Sequence, residues 1–67
     1  MKKRLIERRE TKSGEFYVSL YQLPNEGAKF ATWMSNLETP DDTYWGHYFS
    51  SIVDAARDYE KRIEEND

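Results

Sequence analysis

Residues 43–63, TYWGHYFSSIVDAARDYEKRI, constrain the fold more than any other part of this chain. An aromatic run stops at a serine pair, and an amphipathic pattern starts at once. Ile52, Ala55, Ala56, Tyr59 and Ile63 recur at helical spacing, with Val53 at the margin. Ser50 or Ser51 suits the cap. Ser51 with Asp54 three residues later has the form of a capping box, and Asp54 also suits the positive start of a helix. Ala55 and Ala56 are small enough to bring the helix close to a sheet. Asp58 is placed to pair with Lys61 or Arg62 on the outer face. The spacing predicts a helix over 51–64, with Glu64–Asp67 fraying for want of a glycine stop.

Everything before this segment reads as short strands. Leu5–Glu10 is a first strand with poor alternation, and Thr11-Lys12-Ser13-Gly14 is a turn. Glu15–Leu23 is the strongest strand. By the two-residue period, Phe16, Val18 and Leu20 share one face while Tyr17, Ser19 and Tyr21 share the other. Pro24-Asn25-Glu26-Gly27 is a turn in which proline presets φ and Gly27 is placed for a positive φ. Lys29–Ser35 returns as a hairpin strand. One register sets Phe30 and Met34 beside the Phe16 face; the other sets Trp33 there, and the sequence leaves both open. Asn36–Asp42 reads as a loop. Thr43–Phe49 is either a short fourth strand or an ordered aromatic segment interrupted by Gly46.

The expected fold is therefore α+β: one domain over 1–67, with a three-stranded antiparallel sheet and a short fourth strand as an option. One C-terminal helix covers one sheet face. The expected core is Phe16, Val18, Leu20, Phe49, Ile52, Ala56, Tyr59 and Ile63. A domain of this size buries only about 60% of the surface its unfolded chain exposes, so large side chains must do most of the packing. Ten aromatic residues offset the scarcity of aliphatics. They exceed what one small core hides.

The chain has no cysteine, which favours an intracellular, cytoplasmic setting over a disulfide-stapled secreted one. The basic start, MKKRLIERRE, lacks the apolar stretch of a signal peptide, and no run approaches transmembrane length. Net charge is −3, divided into +3 over residues 1–35 and −6 over residues 36–67. Overall acidity argues against non-specific nucleic-acid binding, with the basic first strand as a local exception.

Candidate chemistry is thin. His47, the one histidine, would need an orienting partner or a nucleophile nearby to act as a base; packing at the sheet–helix junction is the simpler reading. Asp41 and Asp42 lack the alternating oxygens of a calcium loop and read as a solvated tip. Glu60, Glu64, Glu65 and Asp67 read as a solvated helix end. There is no metal-ligand cluster, no phosphate-cradling loop and no implied cofactor. An enzyme is not expected. Lys2, Lys3, Arg4, Arg8 and Arg9 form the one basic concentration. They suit either contact with phosphates or an acidic partner, or the charge protection of an edge strand.

The aromatic surplus is the most suggestive feature. With Phe16, Val18 and Leu20 toward the helix, Tyr17 and Tyr21 face outward, and a ring from the third strand joins them. Such side chains bury much area at low entropy cost, as recognition surfaces do. Cross-strand pairing for stability alone explains them as well. The candidate binding residues are Tyr17, Tyr21, Trp33, Arg8 and Arg9. The expected partner is a protein or a second copy of the chain, with nucleic acid as the alternative and no membrane.

Three strands before one helix, entered through a phrase of the kind G-x-x-F-x-x-x-x-x-A, resemble the AP2-like amino-terminal arm-binding domains of mobile-element integrases. The residues that carry the resemblance are Ser13-Gly14 with Phe16-Tyr17-Val18, then Gly46, Phe49, Ala55 and Ala56. It implies a sheet face that enters a DNA groove and basic side chains on that face making the contacts. The central strand here carries Tyr17, Ser19 and Tyr21 in place of that family's arginines. In its length and acidity the chain also resembles small proteins of phages and bacterial mobile elements.

Overall fold

The structure, a computed structural model, describes residues 3–65 of the chain. Lys2 of the basic cluster and Asp67 of the acidic end lie outside the described residues. Among those described, four strands and one helix follow in order: β1 (Arg4–Glu10), β2 (Phe16–Gln22), β3 (Phe30–Asn36), β4 (Thr39–Phe49) and α1 (Ile52–Glu65). The strands form one antiparallel sheet in the order β1-β2-β3-β4. This is the expected α+β arrangement, with the optional fourth strand present. β4 is longer than expected. It begins at Thr39, so the segment expected as a loop contracts to a turn around Leu37-Glu38. Pro40 is tolerated because β4 is an edge strand, where a missing N–H costs no ladder bond.

The open register is settled by the β2–β3 pairing. Val18 lies opposite Met34, Ser19 opposite Trp33, Leu20 opposite Thr32 and Tyr21 opposite Ala31. Phe30 and Met34 therefore share the helix side with Phe16, and Trp33 joins the tyrosines on the other side. The β1–β2 connection closes with Thr11 N–H donating to the Phe16 carbonyl at 2.8 Å, and it reverses through Gly14 at φ +73°. The positive φ expected at Gly27 falls at Gly14 instead. The 24–28 connection is one residue longer and closes on a Leu23 N–H to Lys29 carbonyl bond of 2.7 Å.

The helix starts where a serine cap permits. Ser51 Oγ accepts the Val53 N–H at 3.2 Å, satisfying one orphan donor of the first turn. At the far end the Ile63 carbonyl accepts the Lys12 N–H at 2.8 Å, which ties α1 to the β1–β2 turn. The buried cluster between helix and sheet is Val18, Leu20, Met34, Ala55, Tyr59 and Ile63, with Phe16, Phe30, Tyr44 and Phe49 half-buried around it. Two expected core members differ. Ile52 is 43% exposed, because the whole first turn, Ile52–Asp54, stands in solvent before the helix reaches the sheet. Ala55, fully buried, takes the close-packed position expected of Ala56, which is half-buried. The inward stripe runs through Ala55, Tyr59, Arg62 and Ile63.

β4 is irregular. Between the Met34–Tyr44 and Thr32–His47 pairs it carries one residue more than β3, a bulge at Trp45-Gly46. Trp45 sits at φ +53°, in the left-handed region. A methyl group on Gly46 would run into the Trp33 indole, within 2.9 Å of its Cδ1 and closer still to Nε1. Gly46→Ala is therefore expected to destabilise the fold by about 1–3 kcal/mol through overpacking. Urea unfolding followed by tryptophan fluorescence measures this; an unchanged midpoint would mean the indole does not lie on this glycine.

Candidate functional site

The sheet side away from the helix is organised in rows across the strands. Leu5, Tyr21, Ala31 and Tyr48 form one row, and Arg8, Ser19 and Trp33 the next. Glu10, Tyr17 and Ser35 form a third. Trp33 meets Tyr21 edge-on at 5.2 Å between centroids and 73° between planes. It meets Tyr48 the same way at 5.8 Å and 88°. Three rings thus form a band from β2 to β4, in the perpendicular geometry that aromatic quadrupoles favour.

This side was expected to be open, and much of it is not. Ser19, Ala31 and Ser35 are fully buried and Tyr21 is only 7% exposed. Tyr17 and Trp33 are half-buried. The chain covers itself with long side chains laid flat. Arg8 donates from Nε to Ser19 Oγ at 2.8 Å and from Nη2 to the Tyr21 hydroxyl at 2.9 Å. Its Nη1 lies 3.5 Å from Asp41, which comes from the other edge strand across the sheet. The β3–β4 register shifts between Met34 and Asn36, and the surplus β4 residues there carry Asp41 over this face. Lys3 spans Tyr21 and Trp33, with Nζ 5.0 Å and 4.9 Å from the two ring centroids. Exposure returns at the two edges of the sheet, with Leu5 44% exposed on β1 and Tyr48 58% exposed on β4, where Trp45 at the bulge is 68% exposed. Trp45 packs edge-on against Tyr44 at 5.1 Å.

Arg9 does not share a face with Arg8. Adjacent strand residues point to opposite sides, and Arg9 lies opposite Val18 on the helix side. There it bridges β1 to the helix, donating to the Tyr59 hydroxyl at 3.3 Å and pairing with Glu60. Glu60 is thus one of the acids expected to be solvated that has a partner. Tyr59 is 2% exposed, and burial pushes its phenol up to about 12 against the opposing pull of the Arg9 hydrogen bond.

A second polar group joins β3, β4 and α1. Asp58 Oδ2 accepts the Thr32 hydroxyl proton at 2.5 Å and lies 3.0 Å from His47 Nδ1. Arg62 Nε stands 3.4 Å from the same oxygen. Asp58 was expected to meet Lys61 or Arg62 on the outer helix face. It meets Arg62, but facing the sheet, because position 58 falls between the inward Ala55 and Arg62. Burial lowers the pKa of the Arg62 guanidinium, with Asp58 opposing that shift. His47 therefore has the orienting carboxylate of a general base. The hydroxyl in the group is fully buried and gives its proton to Asp58 rather than to the imidazole, so Thr32 is not placed as a nucleophile.

Of the five binding residues read from the sequence, Tyr17, Tyr21, Trp33 and Arg8 share one side of the sheet, and Arg9 lies on the other. Trp45 and Tyr48 were not singled out, and Lys3 was read only as part of the basic cluster. The signal for the first two was Gly46 between them: a glycine inside an aromatic strand marks a bulge or a close approach. Among the described residues no group of three or more histidines, cysteines or acids is placed to hold a metal ion, and no helix is long and apolar enough to cross a membrane. Comparison of the chain with protein-family models, curated proteins and solved structures finds no match.

Two outcomes follow from the helix side. Asp58→Ala removes the acceptor of a buried hydroxyl and is expected to cost about 1–3 kcal/mol in urea unfolding; an unchanged midpoint would show that Asp58 does not carry this contact. For Tyr59, the folded state keeps between pH 10 and about 12 a proton that the unfolded chain releases. Stability therefore falls as pH rises through that window. Tyr59→Phe should flatten the fall, read as unfolding midpoints at pH 9, 10 and 11; equal slopes for both proteins would refute the shifted phenol.

Proposed function

We propose that this chain is a non-enzymatic interaction module of the cytoplasm, which binds a protein partner or a second copy of itself through the aromatic side of the sheet. The contact is centred on the β4 margin rather than on the middle of the face. The observation that carries this reading is the pair Trp45 and Tyr48, 68% and 58% exposed on either side of Gly46. Large rings cost water free energy where they stand, and rings of this type dominate the energetics of protein interfaces. Trp45 adds a second cost. A bulky side chain in the left-handed region loses about 1–2 kcal/mol relative to ordinary backbone, and such strain gathers at binding sites.

The alternative is nucleic-acid binding through β1 and the sheet face, as the AP2-like resemblance implies. It has less support. Arg8 lies 3.5 Å from Asp41, and Arg9 meets both Glu7 and Glu60, so both cations are already matched within the chain. A phosphate would have to displace carboxylates.

Two variants test the main reading. Trp45→Gly and Trp45→Ala both delete the ring, but only glycine relieves the backbone, so the glycine variant should be the more stable by about 1 kcal/mol. Trp45→Gly combined with Tyr48→Ala should abolish self-association in sedimentation equilibrium, or capture of a partner that the wild-type chain binds. A wild-type chain that stays monomeric and binds nothing the double variant fails to bind would sink the proposal. A salt-sensitive affinity for duplex DNA that Tyr48→Ala leaves intact would favour the alternative.

A further inference from the structure

We infer that the corner between Tyr21 and Trp33 is a binding site for an alkylammonium group. Lys3 of the same chain fills it in cis, and its incoming ligand is a lysine side chain of a protein partner. The inference rests on the docking role proposed for this side of the sheet and names the chemistry recognised there. Its evidence is geometric. The two ring planes stand at 73°, so they form two walls of a corner and not a stack. The Lys3 ammonium sits almost equidistant from them, 5.0 Å from one centroid and 4.9 Å from the other. Both distances fall inside the range of about 6 Å over which a ring face attracts a cation. Tyr48, perpendicular to Trp33 at 5.8 Å, continues the aromatic surface from the corner to the exposed β4 margin.

Both walls of the corner are held by contacts within the chain. The Tyr21 hydroxyl accepts a bond from Arg8, and the Trp33 indole is seated on Gly46. The Arg8 charge is met by Asp41, which limits its repulsion of a second cation nearby. Lys3 itself is exposed and lies just outside β1, so no strand pairing fixes it in the corner. Its removal would bare two ring faces already in place. An ammonium from outside then makes the contacts that Lys3 makes, and the residue acts as a built-in competitor whose displacement lowers apparent affinity by the fraction of time the corner is filled.

The test uses the whole chain, wild type and Lys3→Ala, with the Trp33 indole N–H signal followed by NMR. The probes are tetramethylammonium chloride and Nα-acetyl-lysine methylamide, each against sodium chloride at equal ionic strength. In Lys3→Ala both probes should shift the Trp33 signal saturably and leave Trp45 unmoved. Wild type should need about five- to thirtyfold more of either probe, the factor set by two cation–ring contacts in cis. No shift beyond the sodium chloride control, or equal titration of the two proteins, would overturn the inference. Tetramethylammonium titrating alone would overturn the lysine assignment in favour of a free quaternary ammonium. Lys3→Gln, which keeps the chain's length there but not its charge, should behave as Lys3→Ala; if it titrates like wild type, the charge is not what fills the corner. Silence here together with partner loss in the Trp45 and Tyr48 variant would leave the docking surface standing and remove only the cation site.

Discussion

The seating of the Trp33 indole on Gly46 governs the whole aromatic side of this molecule. A side chain at position 46 would occupy the space the indole takes. With that space free, the ring lies flat enough to meet Tyr21 on one flank and Tyr48 on the other. The bulge that accommodates it turns Trp45 into the left-handed region and out to solvent. The missing Cβ of Gly46 is thus what lets the Trp33 indole, shared by the band of rings and the corner that holds Lys3, lie against β4.

The opposite side is held in a different way. Its fully apolar cluster is small, and Ala55 contributes closeness more than area. Polar ties supply the rest. Arg9 reaches Tyr59 and Glu60 from the first strand, Asp58 gathers Thr32, His47 and Arg62, and the last turn accepts the Lys12 amide. Such ties fix direction more than they add stability, since each exchanges protein–water for protein–protein contacts. They set which strands the helix crosses, and the apolar contacts set how tightly it lies.

Much of the fold was legible in the sequence because its signals were local. The two-residue alternation of Phe16–Tyr21 and the 3.6-residue stripe ending at Ile63 are properties of short segments. So is the serine before Ile52. What was not legible depended on partners far away in the chain. No local rule told whether Trp33 faced the tyrosines or the helix, because the β2–β3 connection admits both registers. The extent of β4 was hidden by Pro40-Asp41-Asp42, which has loop composition and still runs as an irregular edge. The openness of the tyrosine face was misjudged for a related reason. Arg8 and Asp41 come from strands at opposite edges, and only the folded sheet brings them together to lie over Ser19.

Both outer strands carry a fault in their ladders, at Leu5–Glu7 in β1 and at Trp45-Gly46 in β4. A kinked margin offers an arriving strand only a few backbone groups in phase, so seamless extension of the sheet by another chain is discouraged along either rim. Whatever binds here must recognise side chains and their shapes instead of a continuous run of amides. That trades the easy, promiscuous adhesion of a flat rim for selectivity written in individual residues.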